Sequence, residues 1–271
     1  NSTDYPFPII EVENCFDEET LENLIQEFPD VSSEGTVMGG RKKMNSGSPK
    51  FNAWLETAPT WKKFYNYLND DSVFHSFVDY YNEDLQKWNS VISKDSSLKT
   101  NCFLHIDWSS ATDGYVREIH RDTDKRIWNF LIFFNDKDWD GGDFVIHSSD
   151  SMNRLEQRLW NENALPVHQT VEAKKNKGIF FLSTPDSYHS VSKQLNTKSP
   201  RKFIYGSYSY RDGDPWALDT EQTRLCMKTS MSFIKTKELP LPDGTVVKCD
   251  PSVVDALNKV RDIYIQGFKM G

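Results

Sequence analysis

The octapeptide Tyr115-Val-Arg-Glu-Ile-His-Arg-Asp122 places a histidine and an aspartate, His120 and Asp122, two residues apart. An apolar and aromatic run, Ile127-Trp-Asn-Phe-Leu-Ile-Phe-Phe134, follows closely, and such a run is typical of a buried strand. In an extended strand, residues i and i+2 point to the same face. The sequence therefore predicts that one imidazole and one carboxylate are directed side by side into the same cavity.

A second imidazole is expected from His189, which lies in the strand-like segment Pro185-Asp-Ser-Tyr-His-Ser-Val191. If the two strands face each other, two imidazoles and one carboxylate lie on one side of a metal ion. That ligand set, with open positions opposite, is the one used by non-haem Fe(II) oxygenases. A His-x-Asp pair alone is a weak signal, and a second copy, His105-Ile-Asp107, stays open as the alternative metal pair.

Composition and charge exclude several classes of protein. The 271 residues are 37% hydrophobic and 27% charged, which indicates a globular chain with a real core. No apolar run approaches the roughly 20 residues that a membrane helix needs, and no secretory signal is visible at the N-terminus. The formal net charge of −8 disfavours binding to nucleic acid. The one compact basic cluster near the N-terminus, Gly40-Arg-Lys-Lys43, is interpreted as a solvated loop.

The cysteines indicate a reducing compartment. The four of them lie far apart and form no Cys-x-x-Cys pair, so a thiolate metal site is not expected. We expect them to be reduced and mostly buried, which is typical of a cytoplasmic protein.

The order of the patterns predicts a mainly β fold with flanking helices, in the α+β class. Residues 5–12 are expected to form a strand, 17–28 an amphipathic helix, 32–48 a loop and 60–90 helices. About eight short strands follow between 103 and 210, with a loop predicted at 109–114. Short strands separated by turn signals favour an antiparallel sandwich or barrel of the jelly-roll or cupin group.

We expect a single domain over residues 1–271, divided into three parts. Residues 1–100 would support the barrel, residues 101–210 would form its core, and residues 211–271 would form a helical extension. Within the core, residues 148–166 look like an insertion, which is open to interpretation as a substrate lid or as a helix packed on the barrel edge.

Several motifs in this order resemble the Fe(II)/2-oxoglutarate dioxygenases, and within them the prolyl-hydroxylase-like branch. The motifs are Gly114-Tyr-Val-Arg with His120-x-Asp122, Asn135-Asp-Lys-Asp-Trp139 with Gly141-Gly142, His189-Ser-Val191, and Arg201. The resemblance covers residues 101–210. It implies a double-stranded β-helix whose inward strand faces hold the metal.

The same resemblance implies the cofactors and the reaction. Fe(II) would be bound by His120, Asp122 and His189, and the distal carboxylate of 2-oxoglutarate by Arg201, whose planar guanidinium suits a carboxylate. O2 would be the co-reactant, and ascorbate is an accessory cofactor that the resemblance suggests. The reaction would hydroxylate an unactivated C–H bond and release succinate and CO2. The substrate would be peptidyl proline, another peptide or a small molecule; the sequence does not indicate an oligomeric state.

Further positions of the cosubstrate pocket follow from the resemblance. The strand face that holds Asn129, Leu131 and Phe133 would line the pocket, as would Val191. Trp108 falls where relatives carry a tyrosine that contacts the cosubstrate, and both Trp108 and Tyr115 are open to interpretation as pocket or core residues.

The carboxylate-binding cation has two rivals. The spacing from His189 to Arg201 is one residue longer than the family commonly shows, and Lys198 and Lys202 lie close by in sequence. Lys202 should point away from the pocket on a regular strand, so Arg201 is preferred.

Two other functions remain open. A different cupin-type metalloenzyme, such as an isomerase or a cosubstrate-independent dioxygenase, would keep the three metal ligands and would not need Arg201. A non-enzymatic binding module would keep the barrel and lose the metal, which the intact triad disfavours.

Overall fold

The protein is described from a computed structural model that places residues 2–34, 36–37, 40–88, 90, 101–122, 125–148, 165–184, 186–211, 215–216, 238–240 and 246–248. The chain separates into two compact units, residues Asn1–Ala217 and Leu218–Gly271. The division falls near the predicted start of the C-terminal extension at 211. The candidate site lies entirely in the first unit.

Two antiparallel sheets form the frame of the first unit. The strands, in chain order, are β1 (Ser2–Thr3), β2 (Ile9–Val12), β3 (Thr36–Val37), β4 (Arg41–Asn45), β5 (Cys102–Ala111), β6 (Arg117–His120), β7 (Arg126–Phe133), β8 (Phe144–His147), β9 (Val167–Val171), β10 (Gly178–Leu182), β11 (His189–Val191) and β12 (Arg201–Tyr210). The larger sheet has the order β1-β2-β10-β7-β12-β5-β4-β3, and the smaller has the order β6-β11-β8-β9.

The core lies between these two sheets. Side chains from both of them form one buried hydrophobic cluster, which includes Leu131, Phe133 and Phe203 from the larger sheet and Phe144 and Val191 from the smaller one. Each strand alternates between this inner face and an outer face. The predicted mainly β architecture with a double-stranded β-helix core is confirmed.

Helices cover the outer face of the larger sheet. They are α1 (Glu18–Gln26), α2 (Pro49–Leu55), α3 (Pro59–Asn69), α4 (Asp71–Tyr80) and α5 (Asn82–Lys87). Asp17 caps α1 by accepting a 2.8 Å hydrogen bond from the Thr20 amide, as its sequence pattern predicts. The outward-facing Trp128 of β7 packs 4.2 Å from Phe77 of α4, ring centroid to ring centroid. The aromatic side chains that these helices direct toward the sheet therefore belong to the core.

A close fit on the outer face fixes the register of β12. Gly206 pairs with Phe130 of β7, and a Cβ added at Gly206 would lie only 2.0 Å from the Phe130 ring. The ring therefore occupies the space that any side chain at position 206 would need. In this register Arg201, Phe203 and Tyr205 share the inner face, whereas Lys202, Ile204 and Gly206 share the outer face.

The predicted loop at 32–48 is wrong. Residues 41–45 form β4, which pairs with β5 through Arg41↔Ala111 and Lys43↔Ser109. The basic residues alternate: Arg41 and Lys43 point to the inner face, where Asp107 receives a hydrogen bond from each of them. The pattern was missed because these inward residues are charged, so the strand lacks the usual apolar alternation.

The predicted loop at 109–114 begins too early. β5 continues to Ala111 because Ser109 and Ser110 are paired on both sides, with β12 and with β4. The strand therefore brings Ser109 to the inner face, next to Arg41.

Other predictions fall outside the described residues. They include most of the insertion at 148–166 and the helices expected at 225–236 and 253–268. In the second unit the structure describes one antiparallel strand pair, β13 (Glu238–Pro240) with β14 (Val246–Lys248). Among the helices that the structure describes, none has the length and apolar character required to cross a membrane.

Candidate active site

Three side chains that could hold a metal converge on the inner face. β6 and β11 are neighbours in the smaller sheet, and His120 pairs directly with His189. Asp122 follows two residues after His120. One nitrogen of each imidazole and one carboxylate oxygen lie within 4.8 Å of one another, and the two imidazole centroids are 4.4 Å apart. The structure thus brings together the three residues that the sequence analysis selected.

Backbone carbonyls orient both imidazoles. His120 Nδ1 lies 2.8 Å from the Glu118 carbonyl oxygen, and His189 Nδ1 lies 2.8 Å from the Ser187 carbonyl oxygen. A carbonyl can only accept, so each Nδ1 carries the proton and each Nε2 is left with a lone pair. The two Nε2 atoms lie 4.0 and 3.7 Å from the Asp122 carboxylate oxygens. Fixing the tautomer in this way is what protein metal sites commonly do.

Three donors hold the Asp122 carboxylate. Oδ1 accepts a 2.8 Å hydrogen bond from Arg126 Nη1, and Oδ2 accepts a 2.9 Å hydrogen bond from Asn129 Nδ2. The Tyr205 hydroxyl lies 2.9 Å from Asp122 Oδ2 and 3.0 Å from Asn129 Oδ1. The carboxylate is therefore oriented before any ligand arrives.

The electrostatics keep the three groups in the protonation states that a metal ligand needs. Burial raises the pKa of Asp122, but Arg126, His189 and His120 outweigh it and hold that pKa at about 2. Burial, together with His189 and Arg117, lowers the pKa of His120 to about 3. Burial also lowers the pKa of His189. At neutral pH the site is thus one anion and two neutral imidazoles, which is the ligating form.

Arg201 is a buried cation at the other end of the same strand face. Its side chain is 2% exposed, and its guanidinium carbon lies 5.2 Å from the ring centroid of Tyr115 and 4.7 Å from that of Phe203. Burial lowers its pKa to about 10, so it stays charged. Nη1 donates to the Gly142 carbonyl, and Nε has no hydrogen-bond partner. Within the described residues, no carboxylate lies within salt-bridge distance of this guanidinium.

The surroundings of Arg201 leave a second donor without a partner. Gly142 adopts a φ of +70°, and a Cβ there would lie 2.9 Å from Arg201 Nη1 and 3.2 Å from Trp139 Nε1. The buried Trp139 Nε1 has no hydrogen-bond partner either. Buried donors without partners are rare in folded proteins, and a carboxylate ligand would satisfy both. The chain therefore fits 2-oxoglutarate at this end and Fe(II) at the other.

The remaining pocket residues are divided between these two ends. Tyr115, Leu131 and Val191 belong to the core cluster that surrounds Arg201. Asn129 lies instead at Asp122, to which it donates. Residues 201 and 205 of β12 are four positions apart, so their Cα atoms are about 13 Å apart.

Trp108 does not reach the site. It pairs with Ile204 of β12, so it lies on the outer face, where its ring centroid is 5.0 Å from Phe51 and 5.6 Å from Trp61. The expectation that Trp108 contacts the cosubstrate is therefore wrong, because the strand register turns its side chain into the helical layer.

The rival assignments are also resolved by position. Asp107 is engaged by Arg41 and Lys43 at 3.0 Å each, and by His105 at 2.9 Å, so the His105–Asp107 pair is a salt-bridge cluster. Lys202 Nζ lies over the Phe28 ring on the outer face, and Lys198 is exposed. Arg201 is the one of the three cations whose side chain enters the core.

Sequence reasoning placed Arg126 near the entrance of the site, but it missed Tyr205 and Arg41. The signal for Tyr205 was available, because it follows Arg201 at i+4 and must share its face. Arg41 carried no such signal, since its position depends on an unexpected strand, β4.

Residues 97–208 match the model of the 2OG-Fe(II) oxygenase superfamily. This segment is a 2OG-Fe(II) oxygenase domain. The family uses Fe(II) and 2-oxoglutarate, and the chain is accordingly an enzyme of the 2-oxoglutarate-dependent dioxygenase type. No curated protein sequence matches the chain.

Solved structures similar to this chain include two prolyl hydroxylases and a protein with nickel and 2-oxoglutarate bound. A Pseudomonas putida prolyl-4-hydroxylase is 13% identical, with 75% of this chain and 93% of that chain covered and a TM-score of 0.48. A Trichoplax adhaerens prolyl hydroxylase, solved with a hypoxia inducible factor peptide, is 14% identical, with 74% and 83% covered and a TM-score of 0.48. HygX from Streptomyces hygroscopicus, solved with nickel and 2-oxoglutarate, is 12% identical, with 78% and 86% covered and a TM-score of 0.47.

Proposed function

We propose that this oxygenase domain hydroxylates an unactivated C–H bond of its substrate, with peptidyl proline as the leading candidate. In this proposal His120, Asp122 and His189 hold Fe(II), and Arg201 holds the distal carboxylate of 2-oxoglutarate. The net reaction is R–H + O2 + 2-oxoglutarate → R–OH + succinate + CO2, so the two oxygen atoms enter the alcohol and the succinate. The bound iron supplies the activation of O2 that the side chains cannot supply.

One observation carries the proposal: an ordered two-histidine, one-carboxylate cluster lies on the same inner face as a buried guanidinium that has no carboxylate partner among the described residues. A cupin-type metalloenzyme without a cosubstrate would have no use for a charge buried at Arg201. Burying an unpaired cation costs several kcal/mol unless a partner is supplied. A ligand carboxylate is the partner that this site lacks.

The chain's own residues have separable roles in this scheme. The carbonyls of Glu118 and Ser187 keep the proton of each imidazole on Nδ1. Arg126, Asn129 and Tyr205 aim the Asp122 carboxylate. The apolar side chains between Tyr205 and Arg201, including Leu131 and Phe203, exclude water around the space where the cosubstrate would extend.

The direct test is anaerobic titration of the full chain with Fe(II) and 2-oxoglutarate. We expect the weak visible charge-transfer band that forms only when both are bound, followed by slow succinate release once O2 is admitted. Ascorbate is included in the assay as a reductant that keeps the iron ferrous. Stimulation of succinate release by proline-containing peptides would support the substrate assignment, and absence of the band would refute the proposal.

Replacing Tyr205 by Phe should weaken the metal site without unfolding the protein. The change removes one hydroxyl that lies 2.9 Å from Asp122 Oδ2 and leaves the ring in place. Outer-shell changes of this kind typically cost about 10- to 100-fold in metal affinity or activity. We expect a loss in that range for Co(II) affinity measured anaerobically, with thermal unfolding nearly unchanged.

The matched control is Tyr67→Phe, which removes a hydroxyl from an exposed side chain on the helical layer. It should leave metal affinity at the wild-type value. Equal metal affinity in Tyr205→Phe and Tyr67→Phe would show that Tyr205 does not position the carboxylate.

A further inference from the structure

Four cationic side chains share the inner face or lie beside the metal-ligand candidate Asp122: Arg41 and Lys43 of β4, and Arg117 and Arg126 next to Asp122. Arg41 pairs with Ala111, which pairs in turn with Arg201, so both arginines face the same side of the larger sheet. The Arg41 guanidinium carbon lies 5.5 Å from the Phe203 ring centroid. The pocket that holds the metal ligands is therefore bordered by positive charge, although the chain as a whole carries a formal net charge of −8.

The other two cations, Arg117 and Arg126, come from β6 and β7. The Arg126 guanidinium carbon lies 4.9 Å from the Tyr205 ring centroid. Arg117 pairs with Val191 of β11, a residue of the core between the sheets. Burial lowers the pKa of Arg117; Tyr115 and Asp122 raise it, and the nearby Arg41 and Arg126 lower it. These cations are thus close enough to repel one another.

The acids that contact Arg41, Lys43 and Arg126 in the described part of the chain are Asp107 and Asp122. Asp107 is shared by Arg41, Lys43 and His105. Asp122 would be neutralised by the metal. Among the contacts of the described residues, one carboxylate, Asp107, therefore remains to balance Arg41, Lys43 and Arg126 when iron and cosubstrate are bound.

Among the described contacts, Arg41 and Lys43 each keep N–H groups that make no hydrogen bond. Arg41 uses Nε and Nη2 to bind Ser109 and Asp107, and its Nη1 makes no hydrogen bond within the described residues. The Lys43 ammonium carries three N–H groups and makes one hydrogen bond, to Asp107, while its side chain is 25% exposed. Donors that point into an opening and lack acceptors favour an anionic ligand.

We propose that the substrate of this oxygenase carries a carboxylate, which binds across Arg41, Lys43, Arg117 and Arg126 while the C–H bond lies at the metal centre. This inference rests on the proposed function for the reaction, and on the charge of this face for the substrate class. The carboxylate has two sources of the same chemistry: an acidic residue beside the target residue of a peptide, or the acid group of a small molecule.

The test is calorimetric binding of matched probes to the full chain, with and without Co(II). The peptide arm uses short peptides in which proline alternates with Glu, Gln or Lys. The small-molecule arm uses N-acetyl-L-proline and N-acetyl-L-prolinamide, which differ only in the terminal group, a carboxylate or a neutral carboxamide. We expect the charged acid to bind about tenfold more tightly than its neutral counterpart in at least one arm, since hydrogen bonds to charged groups contribute about 1.5–3 kcal/mol. The arm in which this preference occurs identifies the source.

Substitutions of the cations test whether this face causes the preference for the charged acid. Arg117→Gln should reduce the preference for the acid about tenfold, and Lys43→Gln about threefold because Lys43 is partly exposed. Lys62→Gln is the matched control: it removes one positive charge from an exposed pair with Glu56 on α3, and it should change nothing. If Arg117→Gln fails to fold, Lys43→Gln still tests the inference.

Equal affinity for the acid and neutral forms in both arms overturns this inference, and so does a preference that survives in Lys43→Gln and Arg117→Gln. Either result can occur while the Fe(II)–2-oxoglutarate band forms normally, in which case the proposed reaction stands. Conversely, if the charge-transfer band is absent and the metal-free protein still prefers the acid, the proposed reaction is refuted. The proposed carboxylate-binding face then stands.

Discussion

His189→Ala should abolish binding of Fe(II) at the candidate metal centre. The substitution removes one of three ligands, and the remaining pair, His120 and Asp122, comes from a single short segment of chain. We expect metal affinity to fall by more than the roughly 10- to 100-fold that is typical of outer-shell changes. Anaerobic titration with Fe(II) or Co(II) measures the affinity directly, and the charge-transfer band with 2-oxoglutarate should disappear.

The matched control is His105→Ala. His105 also belongs to a His-x-Asp pair on β5, and it contacts Asp107 at 2.9 Å in the salt-bridge cluster. Removing it should leave metal affinity unchanged, because Asp107 keeps Arg41 and Lys43 as partners. Wild-type metal affinity in His189→Ala would mean that the metal site is misplaced. A loss of metal affinity in His105→Ala would indicate that the His105–Asp107 pair of β5 binds the metal.

Arg201→Met should weaken cosubstrate binding without lowering the stability of the protein. Met is a long apolar side chain, and it fits among the rings of Tyr115, Phe133 and Phe203 that now surround the guanidinium. Truncating one partner of a buried charge pair typically costs 2–5 kcal/mol or more. We therefore expect KM for 2-oxoglutarate to rise about 100-fold or more, measured as succinate release against cosubstrate concentration.

The same variant should unfold at an equal or higher temperature than the wild-type chain when no cosubstrate is present. Replacing a buried charge by an apolar side chain of similar size is often neutral or stabilising. Lys202→Met is the control, because Lys202 lies over the Phe28 ring on the outer face. Its KM for 2-oxoglutarate should match that of the wild type; a raised KM in Lys202→Met with a normal KM in Arg201→Met would reverse the assignment.

The sequence was sufficient for the parts of the site that depend on local spacing. His120 and Asp122 share a face because strand side chains alternate, and the apolar run that became β7 follows them closely. His189 and Arg201 were selected through motif order. These four positions needed no knowledge of which strands become neighbours, beyond the assumption that two of them face each other.

The predictions that were wrong depend on pairing between strands that are distant in the sequence. Trp108 was assigned to the cosubstrate pocket, yet its pairing with Ile204 turns it to the helical layer. β4 was taken for a loop because Arg41 and Lys43 break the apolar alternation, and only Asp107 on the adjacent strand explains why they point inward. A buried salt bridge between distant strands leaves no periodic signal in either segment.

The fit of the Phe130 ring over Gly206 has a consequence for enzyme engineering. Sliding β12 by one position would drive a side chain into that ring and would exchange the guanidinium for an ammonium in the pocket. Gly206 lies far from any reacting atom, yet it fixes the strand register that places Arg201 in the cosubstrate pocket. Libraries that diversify substrate preference should therefore leave positions 130 and 206 untouched.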